Sequence, residues 1–404
     1  MSDVLLLPLH RYVDSNWGSE YAWALNICEA LRTAGLSYVA VVGDLDKEAI
    51  SALSTNRNTV LKLGTSPEYN FYNNFSFYSK LYLIGQKAIR LHSPNVIHHV
   101  FPFSIDASFN PIIATKKMRN TVLGPVFFPS YRFGLDSDGV KLMEEIGMWR
   151  KNKSSNTLIL PHRLLRIFWE RTLLNTEILL FDCSETRDIV ISLFPDVQDK
   201  EYDLIPSGGV NNKFFTQNNK KVDSNLSSYF TVGTLCYLRK RKHVDTIIRA
   251  IAEIKDKKIK AIIGSEGYLK EYLISLAKQL GVSEKVEFKG RIDRKDVHSF
   301  YSNLDIFCEL DRIPHTVLAG VQEAMARGLP VVVSSPYAPA ESDELNYGYI
   351  IDAENYKELS RIFVRLIENP SIVSEKGKNA MNYAMENFSI EKVGYKLKKI
   401  YEKL

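Results

Sequence analysis

The chain has 404 residues, 45% hydrophobic and 25% charged, with a formal net charge of +5. These are the proportions of a globular protein long enough for two or three domains, and the charge is too small to argue a nucleic-acid partner. Four cysteines stand far apart without a Cys-x-x-Cys pair, the start lacks a signal-like apolar core, and no stretch approaches the roughly 18 apolar residues of a membrane span, so free thiols and a cytoplasmic location are expected.

Val4 to Leu7 reads as a first buried strand, followed by a polar loop, HRYVDSNWGSE. A helix then carries Ala22, Leu25, Ile27, Ala30 and Leu31 on one face and ends at Gly35, and Tyr38 to Val42 is the next strand. Gly18 and Ser19 stand at that helix start, where a glycine lets a ligand approach the backbone, although Gly-Ser also serves capping. Residues 66–80 are dense in aromatics and asparagine; they form either a sugar- or lipid-facing surface or an irregular helix with its aromatics in a core. Asn95 to Val100, NVIHHV, is a strand carrying His98 and His99 toward a loop. Successive strand residues point to opposite faces, so one histidine of the pair is expected to be packed. Thr121 to Val126 is a strand broken at Gly124-Pro125, and residues 129–155 are irregular and charged. The stretch PHRLLRIFWERTLLN is a basic amphipathic helix, suited to an anionic membrane surface or to packing on a sheet. Strands at Ile178 to Cys183 and Tyr202 to Pro206 follow, and the polar residues 216–228 read as a linker.

The second half restarts the same alternation. Tyr229 to Leu235 is a strand, and the loop after it, CYLRKRKH, holds four consecutive basic residues, Arg239 to Lys242. A helix begins at Val244, a strand ends in the turn Gly264-Ser265-Glu266-Gly267, and a helix from Leu269, the strand KVEFKG and the helix DVHSFYSNL come next. From Thr316 the residues Val317, Leu318, Val321, Ala324 and Met325 recur at helical spacing until Gly328 and Pro330 stop the run. With a strand on each side, residues 305–335 make one βαβ unit. Its helix start, near His315, Thr316 and Val317, faces the carboxyl end of the sheet, where open α/β sheets bind ligands and free N–H groups suit an anion. Glu323 either accepts hydrogen bonds from ligand hydroxyls or sits on a solvated face. The basic run is by itself a solvated patch, but a phosphate at the same end of the sheet would meet it together with the helix start. The strand YGYIID and two helices close the chain.

The segments GSEYAWALNICEAL, NVIHHV, LGPV, LIPSGGVNNKFF, VGTL, RKHVD, IIGSEGYL, VEFKGRI and EAMARGLPVV resemble, in order and spacing, the retaining nucleotide-sugar glycosyltransferases of family 4. The resemblance covers most of the length. It implies an α/β fold of GT-B architecture: two facing Rossmann-like domains, each with a parallel sheet flanked by helices. Residues 1–210 would be the acceptor-side domain, 211–385 the donor domain, and 386–404 a C-terminal helix packing back on the first. It implies a metal-independent hexosyltransferase without cofactor, whose partners are a nucleotide diphosphate sugar and a hydroxyl acceptor that is a glycan, lipid-linked or a small molecule. A peripheral membrane contact is compatible with it, and a nucleic acid is not expected. His98, His99, Lys242 and Glu323 are the catalytic candidates it implies. Gly18 and Ser19 would approach the donor phosphates, Lys242 would hold the diphosphate, and Glu323 would bind the ribose. The backbone at Gly290, Arg291 and Ile292 would border the base, beside the turn at Gly264, and that at Thr316 and Val317 would meet the phosphates.

Three positions depart from the family pattern. His315 stands where a glutamate is usual, and as a neutral ring it would meet a sugar hydroxyl or a diphosphate oxygen, or cap the helix. Thr234 stands where an arginine is usual, with Arg239 and Arg241 in a longer loop as substitutes, and Val100 stands where a histidine often falls. The glutamate and histidine changes favour an alternative, a catalytically silent scaffold of this architecture that binds a partner or a nucleotide without transfer.

Overall fold

The computed structural model describes residues 2–13, 18–45, 47–64, 71–100, 110–126, 162–205, 208–215, 229–311, 318–334 and 343–404. The described chain divides into two compact units. One holds the residues up to Gly209 together with Ile390 to Leu404, and the other runs from Val210 to Ser389.

The first unit contains β1 (Val4–Val13), α1 (Gly18–Thr33), β2 (Tyr38–Leu45), α2 (Lys47–Leu53), β3 (Thr59–Lys62), α3 (Phe71–His92), β4 (Val96–His99), α4 (Pro111–Thr115), β5 (Thr121–Val126), α5 (His162–Asn175), β6 (Ile178–Phe181), α6 (Ser184–Leu193) and β7 (Glu201–Leu204). Its strands pair in the order β3-β2-β1-β4-β5-β6-β7, with every pair parallel. Strands buried at every position, such as VIHH and ILLF, suit this arrangement, because a parallel sheet is covered on both faces. β1 continues to Val13, through residues expected as loop, with an irregular register between Leu6 and His10. α3 is a regular helix of 22 residues, with Phe77 and Leu81 in the core. The expected linker at 216–228, the segment 129–155 and the first part of the aromatic stretch lie outside the described residues.

The second unit contains β8 (Phe230–Leu235), α7 (Val244–Glu253), β9 (Ile259–Gly264), α8 (Lys270–Gln279), β10 (Val286–Gly290), α9 (Val297–Ser302), β11 (Ile306–Glu309), α10 (Ala319–Ala326), β12 (Val331–Ser334), β13 (Asp343–Leu345), β14 (Gly348–Ile351), α11 (Tyr356–Glu368) and α12 (Pro370–Asn387). The strand order is β10-β9-β8-β11-β12-β14-β13; all pairs are parallel except the short edge strand β13, which runs antiparallel to β14. One apolar layer, with Ile247, Ile248, Ile251, Leu359 and Phe363, covers one face of this sheet, and another, with Tyr301, Phe307, Val321 and Met325, covers the other.

Three described helices follow β14 rather than the two expected. The last, α13 (Ile390–Tyr401), returns to the first unit. There Val393, Leu397, Ile400 and Tyr401 join Ala24, Ile27, Ala30 and Leu31 of α1 in one core. The two helices touch so closely that a Cβ on Gly394 would stand 2.2 Å from the Ala30 carbonyl oxygen. Among the described residues no helix is long and apolar enough to cross a membrane.

Candidate active site in the second unit

In the second unit the chain runs from β8 outward to β9 and β10, then returns to pair β11 with the other side of β8. That reversal opens a crevice at the carboxyl ends of β8 and β11, the place where open α/β sheets take ligands. Lys240 to Lys242 form a 3-10 turn in the loop after β8, and Glu309 and Asp311 stand at the end of β11.

Lys242 is buried, with its Nζ 2.5 Å from Glu309 Oε1 and 2.6 Å from Asp311 Oδ2. Arg241 donates from Nη1 to both Asp311 oxygens, at 2.8 and 2.7 Å. Two cations and two carboxylates thus alternate in one cluster. Burial works against the Lys242 ammonium, but the two carboxylates outweigh it and hold its pKa above the ordinary lysine value. Asp311 is further tied down through its carbonyl, which accepts from the Ser334 hydroxyl at 2.8 Å. His243, next to Lys242, has φ +43°. A non-glycine residue in this left-handed region costs about 1–2 kcal/mol.

Glu323 lies in the middle of α10 and is only 5% exposed, so the solvated-face reading fails. Its Oε1 pairs with Arg294 Nη1 at 2.6 Å. Burial raises its carboxyl above the usual range against the pull of Arg294. The Tyr301 hydroxyl donates to the Gly320 carbonyl at 3.0 Å and lies 3.4 Å from Glu323 Oε2. Gly320 in turn brings the start of α10 next to the Leu235 carbonyl at the end of β8, 3.9 Å from where its Cβ would be. Arg294 lies over the Phe214 ring, which stacks on His298 at 4.2 Å.

Residues 215–386 match the family model of glycosyl transferases group 1. An uncharacterized glycosyltransferase of Methanocaldococcus jannaschii is 29% identical over 191 residues, 46% of this chain and 48% of that protein. The chain therefore spans about half the length of that curated relative. Among solved structures, sucrose-phosphate synthase from Thermosynechococcus elongatus aligns with a TM-score of 0.72 at 15% identity, over 99% of this chain and 98% of its own. Anabaena HepE, solved in complex with UDP, aligns with a TM-score of 0.68 at 16% identity over 100% of both chains. These likenesses establish the fold, two parallel-sheet α/β domains of GT-B type.

Set against the group 1 transferases, the sequence candidates fall into three sets. Lys242 and Arg241 stand at the crevice with Glu309 and Asp311, and Glu323 is held on α10 by Arg294 beside Tyr301. Gly264 packs beside the end of β8 and Ile292; a Cβ on it would stand 2.7 Å from Leu235 Cδ1 and 3.1 Å from Ile292 Cγ1, so a side chain here would have to push Leu235 aside. Arg239 sits half-buried before the 3-10 turn, its guanidinium 4.8 Å from the Tyr237 ring centroid, and Arg291 is exposed. Thr234 is buried in β8. The second set, Gly18, Ser19, His98 and His99, belongs to the first unit. Gly18 and Ser19 begin α1. His98 and His99 are both fully buried, so both of the pair are packed rather than one. His98 Nε2 donates to the Gly124 carbonyl at 2.8 Å, so its Nδ1 accepts from the Tyr401 hydroxyl at 2.7 Å, and burial lowers its pKa to about 4. A carbonyl only accepts, and this fixes the neutral tautomer. His98 therefore anchors α13 in the first unit. The third set, His315, Thr316 and Val317, lies outside the described residues, and the described helix starts at Ala319 rather than Thr316.

Sequence reasoning missed Glu309, Asp311, Arg294 and Tyr301. The signal for the first two was available: two acids flank Leu310 at the carboxyl end of a strand in a binding sheet. Among the described residues no group of three or more His, Cys, Asp or Glu side chains is placed to hold a metal ion.

Proposed function

We propose that the chain transfers a sugar from a nucleotide diphosphate sugar to a hydroxyl acceptor, with retention at the anomeric carbon. The observation that carries this reading is the placement of Lys242 and Arg241 at the topological switch point of a sheet, with the buried Glu323 on the helix between β11 and β12. Charges fixed in place before the reaction are the effective way to stabilise a departing diphosphate, because they need no reorganisation as charge develops. Glu323, with one oxygen held by Arg294 and the other 3.4 Å from the Tyr301 hydroxyl, would accept hydrogen bonds from ribose hydroxyls at that second oxygen. The match to group 1 transferases and the fold shared with a UDP-binding protein support the same reading.

Calorimetric titration with UDP, GDP and dTDP sugars, followed by a transfer assay on hydroxyl acceptors, tests it. One donor class should bind and be consumed. Glu323→Gln should weaken nucleotide binding roughly ten-fold, and Glu323→Ala more, since a hydrogen bond to a charged group contributes about 1.5 to 3 kcal/mol. Normal affinity in a folded Glu323→Gln protein would remove this residue from the site. A second reading, nucleotide binding without transfer, is favoured by the pairing of both cations with carboxylates. A bound donor that no acceptor consumes would select it.

A further inference from the structure

Lys242 and Arg241 already carry counter-ions. Glu309 and Asp311 are both buried, and with all four groups ionised the cluster is neutral. A diphosphate entering this seat must therefore compete with carboxylates that belong to the chain.

The two carboxylates are not equivalent. Asp311 is held by both cations, with two hydrogen bonds from Arg241 and an ion pair to Lys242. Glu309 is held through one oxygen by Lys242. If a phosphate oxygen takes Lys242, Asp311 keeps Arg241, whereas Glu309 is left buried without its cation. An unpaired buried carboxylate costs several kcal/mol, and such a group takes up a proton instead.

We propose that Glu309 is an exchangeable counter-ion of Lys242, displaced by the diphosphate of a nucleotide with uptake of a proton at the Glu309 carboxyl, while Asp311 stays in place and orients Arg241. This rests on the reading of the crevice as a donor site and adds to it the residue that sets the affinity and its dependence on pH. The proton comes from solvent, and no covalent bond forms or breaks in the exchange.

The surroundings of Glu309 agree. Lys242 and Arg241 face it from the turn after β8, Cys236 from the end of β8, Tyr301 from α9, and Asp311 and Cys308 from its own segment. Cys236, Cys308 and Tyr301 are buried, and burial raises each of them, so they stay neutral and cannot neutralise a freed carboxylate. Burial also raises the Glu309 carboxyl itself, with Lys242 opposing. Removing Lys242 from it removes the larger part of that opposition and leaves only Arg241, which Asp311 already engages, so protonation becomes the route to neutrality.

The test is calorimetry of the full chain at pH 7.5 with UDP, GDP and inorganic pyrophosphate, each in two buffers of different ionisation enthalpy. The dependence of the heat on the buffer counts the protons taken up. The wild-type protein should take up more protons than Glu309→Gln, by up to one per ligand, and the comparison cancels protons exchanged by the ligand itself. Glu309→Gln should bind roughly ten-fold tighter, the worth of one charge-assisted hydrogen bond no longer competed for. Asp311→Asn, which releases Arg241, should bind more weakly with the wild-type proton count. Should Glu309→Gln fail to fold, the wild-type protein titrated with UDP-glucose and GDP-mannose decides, because their diphosphates do not titrate in this range and the affinity must rise as pH falls from 8 to 6.5. Binding with equal proton counts in wild type and Glu309→Gln, or wild-type affinity that does not rise with acid, overturns the exchange and leaves the donor site standing. No binding of any ligand, in wild type or in either variant, overturns both.

Discussion

His98 shows how one side chain can bind a helix that is distant in sequence. β5 is irregular at Gly124-Pro125, where the register shifts between Leu123 and Val126. Gly124 has φ +134°, and a Cβ there would stand 2.3 Å from the Leu180 carbonyl oxygen, so only glycine fits. Its own carbonyl accepts the His98 proton, and the other ring nitrogen takes the Tyr401 hydroxyl. This arrangement works only while the imidazole is neutral. The folded pKa of about 4 lies below the ordinary 6.5, so the unfolded chain takes up the proton first on acidification. His98 therefore contributes stability that is present above pH 6.5 and lost as pH falls toward 4. The loss is on the order of 3 kcal/mol. Urea unfolding of wild type and His98→Asn at pH 7.5, 5.5 and 4.5 measures it. The variant should be less stable at pH 7.5, and the gap should narrow with acid; a gap that does not change with pH would remove the titration from the argument.

At the scale of elements, the contact between α1 and α13 holds the first unit together. Gly394 lies on the buried face of α13, and its neighbour is backbone, the Ala30 carbonyl, which cannot move aside as a side chain would. Alanine at this position improves helix propensity by about 1 kcal/mol, but overpacking costs typically 1–3 kcal/mol. Gly394→Ala should therefore lower the melting temperature. An unchanged or higher value would mean that the two helices can separate without loss. The lysines of α13 add a polar edge to the same contact: Lys396 donates to the Leu204 carbonyl and pairs with Asp203 at 3.2 Å, and Lys403 pairs with Glu201 at 3.0 Å.

For the whole molecule, the chain completes its first unit with its last residues. Residues up to Gly209 carry the sheet and α1, but Ile390, Val393, Leu397, Ile400 and Tyr401 supply part of the core that covers them. A fragment of residues 1–209 would expose that apolar face, and it also lacks the Tyr401 hydroxyl that His98 requires. Each fully buried large apolar side chain contributes about 1.5–3 kcal/mol, so the missing helix is comparable with the whole stability of a typical domain. Fragment 1–209 should melt well below the same fragment joined through a Gly/Ser linker to residues 390–404, as read by circular dichroism. Equal melting temperatures would show that the helix is dispensable to the unit.

The sequence by itself determined the alternation of strands and helices in each half, the carboxyl-end position of the basic loop, and the segment carrying Glu323. These depend on apolar periodicity and on Gly and Pro stops, which act within a few residues of one another. Its weakest results were the ends of elements: β1 runs past the polar residues read as loop, and α10 starts later than its apolar spacing suggests. The roles of the side chains were decided only by tertiary structure. Strand alternation puts His98 and His99 on opposite faces, but a parallel sheet is covered on both, so both are buried. Lys242 and Arg241 read as free cations because their counter-ions stand 67 and 70 residues away along the chain. Only the return of the chain to pair β11 with β8 brings Glu309 and Asp311 against them, and a charge taken out of water must find such a partner wherever the fold supplies it.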